Sequence, residues 1–193
     1  MVDLAPQPFT TASAALVNYD ATDVSNGTGY EDYYLIESED SGGVDYHLTP
    51  NADFSNSVTL NVSAGSSDQD FDLTAFIIPR TINGDVRLSI PIFNDGGNSV
   101  TTAYLYKYDG STETQLGSSI TITKVGNPTT MLYMIMPIDN ETIPAGEVLR
   151  LRLVMAYAGG GTGRWGIDPA NRTHSSLTIT TQSKLSIPYK LDL

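Results

Sequence analysis

The 193-residue chain has no cysteine. That excludes disulfide staples, thiolate metal centres and cysteine nucleophiles, so stability must come from a packed core or from assembly. Histidine is almost as scarce: His47 and His174 are the only two, set in the polar segments DYHLTP and NRTHSS. No H-E-x-x-H or other metal-spaced histidine pair occurs, and no G-x-S-x-G elbow presents a serine for attack. Both histidines read as surface or turn residues. The chain is expected to be non-enzymatic, with no catalytic residue, cofactor or metal.

Positive charge is also in short supply, with 10 Lys and Arg against 22 Asp and Glu, a formal net charge of −12. Such a surface repels phosphate backbones, so nucleic acid is not an expected partner. No run approaches the roughly 18 apolar residues of a membrane helix. The opening MVDLAPQPFTTASAALVNYD has neither the basic n-region nor the apolar core of a signal peptide. The chain therefore reads as a full-length soluble protein made in a cytoplasm. The sequons at Asn26, Asn61, Asn140 and Asn171 then read as by-products of a Thr-rich composition.

What is present points to β structure. Charged residues make up 17% and hydrophobic residues 40%, too few charges for a disordered chain and a palette suited to turn-rich sheets. No segment shows a helical stripe, and from residue 58 onward the period is two. The alternation turns Val58, Leu60 and Val62 to one face, then Val86, Leu88, Ile90 and Ile92, then Leu149, Leu151, Leu153 and Met155. Arg87, Ser89, Arg150 and Arg152 take the opposite faces. SLTIT, with Leu177 and Ile179, and KLSIPYKL, with Leu185, Ile187, Tyr189 and Leu191, close the chain in the same way.

Two runs, FDLTAFIIP (71–79) and MLYMIMP (131–137), are apolar on both faces. Coverage within the same chain is the favoured reading, and contact with another chain is the alternative. Turn chemistry recurs at ESEDSGG, SAGSSDQD, INGD, NDGGNS, YDGSTE, VGNP, IPAGE and AGGGTG. Nine or more short strands with such turns predict an all-β antiparallel sandwich, plausibly of jelly-roll topology. Pro91, Pro137 and Pro188 suit edges, bulges or strand ends. Residues 1–28 are less patterned and read as an N-terminal arm, with 29–193 as a single sandwich domain.

Candidate chemistry is sparse. Asp68, Asp70 and Asp72 copy the alternating acids of a calcium loop, but the glycine and the distal glutamate that such a loop needs are missing, so a solvated strand entry is favoured. Glu31, Asp32, Glu37, Glu39 and Asp40 offer carboxylate pairs of the kind glycosidases use, at a frequency that so acidic a chain produces by chance. Tyr104, Tyr106 and Tyr108 share one strand face. They suit either a contact surface for protein or sugar, or ordinary core.

The stretch IPAGEVLRLRLVMAYAGGGTGRWGIDPANRT (143–173) begins with a tight reversal at Pro144 and Gly146. Gly159, Gly160, Gly161 and Gly163 predict a mobile or positive-φ loop, with no lysine or helix start to make it a phosphate cradle. Arg164, Trp165 and Arg172 are residue types enriched at interface centres. Trp165 serves equally well as a plug for the end of a sandwich.

The segments AYLYKYDGSTETQLGSS, IPAGEVLRLRLVM, GIDPANRT and SKLSIPYKLDL together resemble small β-sandwich structural proteins in the virions of tailed phages and related viruses. Capsid decoration or cement proteins are the nearest group, and the resemblance spans roughly residues 100–193. It implies a non-enzymatic protein on the capsid surface that binds the major capsid protein or another virion protein and stabilises the shell. It also implies a homo-oligomer, such as a trimer, and it brings no catalytic residues. On this reading Tyr104, Tyr106, Tyr108, Arg164, Trp165 and Arg172 are the partner-contact residues. The alternative is a carbohydrate-binding or adhesin-like sandwich of a tail fibre, with glycan as its ligand. A jelly-roll hydrolase working through an acid pair is the remaining reading.

Overall fold

A computed structural model of the chain describes residues 28–40, 43–63, 65–175 and 180–190. The expected arm lies outside the described residues up to residue 27, and Thr28 already opens the first strand. The predicted strand SLTIT and the terminal Leu191 also fall largely outside them. The protein is all-β: the described residues form strands and no helix. In chain order these are β1 (Thr28–Asp40), β2 (Gly43–Thr49), β3 (Thr59–Val62), β4 (Gly65–Asp72), β5 (Arg80–Asn94) and β6 (Gly97–Tyr108). They are followed by β7 (Glu113–Lys124), β8 (Thr130–Ile143), β9 (Val148–Gly159), β10 (Gly163–Gly166) and β11 (Lys184–Lys190).

The eight main strands pair antiparallel in two layers, β1-β11-β5-β8 and β4-β9-β6-β7. That order is the jelly roll: of these eight strands taken in sequence, every step except the β6-β7 hairpin passes from one layer to the other. β2 extends the first layer beside β1 and reaches β4 through one parallel bridge, His47 to Asp72. β3 and β10 pair with each other, and β10 pairs with the end of β5.

Alternation builds the core. Val86, Leu88, Ile90 and Ile92 from one layer and Leu149, Leu151, Leu153 and Met155 from the other are buried in a single cluster, with Leu185, Ile187 and Tyr189. Each fully buried leucine or isoleucine stabilises the fold by roughly 1.5–3 kcal/mol. Pro188 sits where the β11 register shifts against β5, as expected of a strand proline. Glu147 N–H donates to the Pro144 carbonyl at 3.3 Å, and Gly146 takes φ 87°. IPAGE therefore closes β8 onto β9 with a turn whose third position favours glycine.

Several readings of the sequence change. INGD is not a turn: β5 runs straight through it, and the register against β8 shifts between Ile82 and Gly84 because β8 carries one extra residue opposite Asn83. FDLTAFIIP is not one strand: β4 ends at Asp72, and 73–79 form a loop. In MLYMIMP the strand holds, with Leu132, Met134 and Met136 inward, but its outer residues Tyr133 and Ile135 are exposed rather than covered by the chain. In β3, Thr59 is buried beside Val62 while Leu60 is only partly covered, because the strand is short and lies at an edge.

Candidate functional site

On the outer face of the second layer, β6 turns Ala103 and Leu105 into the core. Tyr104, Tyr106 and Tyr108 are therefore left half-buried on the opposite side. The core reading of these tyrosines is thereby set aside. Register then places Arg152 beside Tyr104 and Arg150 beside Tyr106 on β9, with Asp70 and Asp72 across from the two arginines on β4.

Arg150 holds Asp72 through Nε and Nη2, both at 2.7 Å, and Arg152 holds Asp70 at 2.6 and 2.9 Å. Glu113 Oε1 accepts from both arginines, at 2.5 and 2.8 Å. The hydrogen bonds to Asp72 and to Asp70 raise the two guanidinium pKa values further above their already high ordinary value. The guanidinium of Arg150 lies 4.0 Å from the Tyr108 ring centroid and that of Arg152 lies 5.2 Å from Tyr106. Tyr104 and Tyr106 stack at 6.1 Å.

These contacts decide two candidates. Asp68, Asp70 and Asp72 run in line along one strand face about 6.6 Å apart, so their oxygens do not converge as a calcium loop requires. Asp70 and Asp72 are instead committed to arginines. The N-terminal acids are dispersed likewise. Glu31 ion-pairs with Arg80 and accepts the Tyr33 hydroxyl at 2.7 Å, whereas its neighbour Asp32 faces the other way, 3.0 Å from Lys184 Nζ. Glu37 accepts from Ser57 at 2.5 Å. His47 lies on β2 opposite Ile36, and His174 follows Arg172 in a separate loop.

The loop from Gly159 to Arg172 is a structural device. Trp165 is fully buried on β10 between β3 and β5, its Nε1–H donating to Thr101 Oγ1 at 3.4 Å, and it offers no surface to a partner. This corrects the contact reading and selects the plug. Gly159, Gly160, Gly161 and Gly163 do not have positive φ. Gly159, Gly161 and Gly163 instead allow close approach: a Cβ on Gly159 would stand 2.8 Å from Gly97 Cα, one on Gly163 2.5 Å from Met155 Sδ and one on Gly161 closer still to the Asp95 carbonyl, whereas Gly160 faces open space. The Asp168 carboxylate is buried and accepts from Arg172 N–H at 2.7 Å and from its Nε at 3.0 Å. Arg172 also donates to the Ser55 carbonyl, so it works as a clip rather than as a free contact residue. Arg164 is half-buried at the surface with its guanidinium 5.4 Å from the Phe93 ring, apart from the tyrosine face.

Two surfaces escaped the list of contact residues. Ile77 and Ile78 are 94% and 61% exposed. Their loop is nonetheless pinned: Phe76 N–H donates to the Glu147 carbonyl at 3.0 Å, Gly146 N–H to the Phe76 carbonyl at 2.8 Å, and the Phe76 ring meets Tyr189 edge-on at 6.1 Å. The signal was the adjacent pair Ile77-Ile78 before Pro79, which breaks the alternation that a strand needs. Tyr133 and Ile135, 72% and 53% exposed, line a groove of about 320 Å³ on the outer face of the first layer.

No protein-family model and no curated protein matches the chain. A solved structure shares its architecture. A CocE/NonD family hydrolase from Staphylococcus aureus aligns with TM-score 0.55 and 11% identity over 83% of this chain and 36% of its own. An aminopeptidase from the marine sediment archaeon Thaumarchaeota archaeon aligns with TM-score 0.48 and 7% identity over 84% of this chain and 35% of its own. The chain thus spans about a third of the length of these enzymes, and at such identities the first likeness concerns the fold alone.

Proposed function

We propose that the protein is a non-enzymatic structural subunit that binds the outside of a viral capsid and reinforces it through protein contact. The observation that carries this reading is the Ile77-Ile78 tip: two large apolar side chains held in solvent by a loop whose backbone is already hydrogen-bonded. A pre-ordered apolar tip binds without the entropy cost of ordering a loop, and repetition over a shell converts a small contact into avidity. The tip lies at the same end of the sandwich as Tyr108, whose partner Val148 directly follows Glu147. The tyrosine face therefore extends the contact. Of the acids that the sequence offers as candidates, Glu31 and Asp32 are spent on Arg80 and Lys184, and Asp70 and Asp72 on Arg152 and Arg150, which supports a binding role over an acid-base one. Jelly rolls recur in viral capsid and lectin domains, a fold-level analogy that agrees with the resemblance in residues 100–193.

The test is to compare particles carrying the parent chain with particles carrying Ile77→Asp and Ile78→Asp. The paired substitution is expected to reduce incorporation and to lower resistance to heat or osmotic shock. Unchanged incorporation and unchanged particle stability would contradict the proposal.

The fold likeness favours a second reading, in which the chain is an accessory sandwich of a hydrolase. The sequence has no G-x-S-x-G elbow and the described residues no helix to carry one, so a nucleophile would have to come from elsewhere. Turnover of an ester or peptide substrate by the purified chain, lost on substitution of one of its own acids, would overturn both readings.

A further inference from the structure

The outer face of β1-β11-β5-β8 carries two cross-strand rows that the capsid reading does not use. Register aligns Tyr34, Lys184, Ser89 and Tyr133 in one row, and Asp32, Ser186, Arg87 and Ile135 in the next. Four strands span about 14 Å, so an aromatic ring stands at each end of the first row with an ammonium and a hydroxyl between. The groove of about 320 Å³ lies over the β11-β5-β8 part of these rows, at the small end of the range for ligand sites.

Charge sets this face apart. In a chain of net charge −12, Arg87 is exposed and makes no ion pair among the described residues; its guanidinium lies 4.6 Å from the Tyr30 ring centroid. Lys184 is held 3.0 Å from Asp32, which also accepts from Ser186, so the neighbouring charges are balanced and Arg87 is the one cation of the groove left over. An exposed guanidinium that no carboxylate holds is a fork for a single carboxylate. Beside it Tyr133, 72% exposed, presents a ring to solvent rather than a pocket. Flat exposed rings suit the C–H face of a sugar, whose hydroxyls find Ser89, Ser186 and Lys184 within the same groove. A peptide is less well served over the middle of the groove, where the backbone of β5 is already paired with β8 on one side and with β11 on the other; among the described residues a free ladder is offered at the outer edge of β8, beyond Arg87 and Lys184.

We infer that this groove binds an acidic oligosaccharide of the uronate class. The sugar carboxylate is taken by Arg87, the pyranose face by Tyr133, and the ring hydroxyls by Ser89, Ser186 and Lys184. The site is on the opposite layer from Tyr104 to Tyr108 and owes nothing to Trp165, so it stands independently of the capsid reading.

The experiment is isothermal titration calorimetry of the full chain with tetragalacturonate, its methyl ester, a sulfated chondroitin tetrasaccharide and a polyaspartate peptide. The inference expects binding of tetragalacturonate, at least tenfold weaker binding of the methyl ester, and at least a tenfold loss in both Arg87→Gln and Tyr133→Ser. Both side chains are exposed, so unchanged melting temperatures will show that the variants are folded; Ser89→Ala supplies a further folded control, with a smaller loss. It is overturned by no binding of tetragalacturonate, by equal binding of the methyl ester, by equal or tighter binding of the sulfated sugar or the peptide, or by variants that bind as the parent does.

Discussion

Arg172 lies over the buried carboxylate of Asp168 four residues earlier, and it is the only cation within ion-pairing distance of that carboxylate among the described residues. The pair closes the turn after β10, and Asp168 N–H reaches back to the Thr181 carbonyl at 3.1 Å. Removing one member of a buried pair leaves the other uncompensated, which costs about 3–5 kcal/mol. Arg172→Ala is expected at the lower end, about 3 kcal/mol, because its own side chain is partly exposed and water can reach the site. Urea unfolding of Arg172→Ala, Asp168→Asn and the double variant checks this; the double variant should cost clearly less than the sum of the two singles.

Trp165 is predicted to govern stability and not recognition. Trp165→Ala opens a cavity beside Thr101 and should cost about 3–5 kcal/mol. At temperatures where the variant remains folded, its binding to particles and to sugars should equal that of the parent. Loss of binding in a folded variant would restore the contact role that its burial argues against.

Alkaline pH should unfold the protein through two tyrosines. Burial, with Tyr189 and Glu31 close by, raises the Tyr33 phenol above its ordinary 10.0, and burial does the same for Tyr189. As pH rises through 10 the unfolded chain loses these protons first and holds fewer than the folded chain. The stability they supply is therefore complete below pH 10 and declines above it, by up to about 1.4 kcal/mol per pH unit for each tyrosine. Tyr46, its phenol raised to about 12 chiefly by burial, adds to the decline set by the two buried tyrosines. Lys124 works the other way, because desolvation lowers its ammonium below 10.5, but it is one group against three. Denaturant unfolding across this range should fall steeply for the parent and less steeply for Tyr33→Phe.

The Ile77-Ile78 tip makes a contrasting case. Aspartate at either position removes no buried contact, so stability should change by no more than about 0.5 kcal/mol. Any loss of particle binding then reports the interface itself. A large fall in melting temperature would mean that the tip packs inside the protein rather than outside it.

The strands were legible wherever one face is buried and the other wet. Leu149, Leu151, Leu153 and Met155 alternate with Arg150 and Arg152 in the structure as they do in the sequence. Legibility failed where chain economy differs from local pattern. Asn83-Gly84 has turn chemistry, yet pairing with β8 on both sides of it holds β5 together, and the extra residue of the bulge lies opposite, on β8. Gly159, Gly161 and Gly163 suggested freedom, whereas their role is to let backbones and the Met155 sulfur approach, which only the packed layers reveal. Trp165 and Arg172 carried the residue types of an interface, but type alone does not distinguish a surface anchor from a core plug or a clip. Groups brought together by register, such as Arg87 with Tyr133 and Lys184 or Glu113 with the two arginines, are distant in sequence and leave no local trace.

The proposed role requires the protein to act as a repeated contact subunit of a shell. Quantitative mass spectrometry of density-purified particles, counting this chain against the most abundant shell protein, tests that directly. A ratio near one, or a simple lattice fraction of one, is the predicted result; absence of the chain from the particles would contradict it.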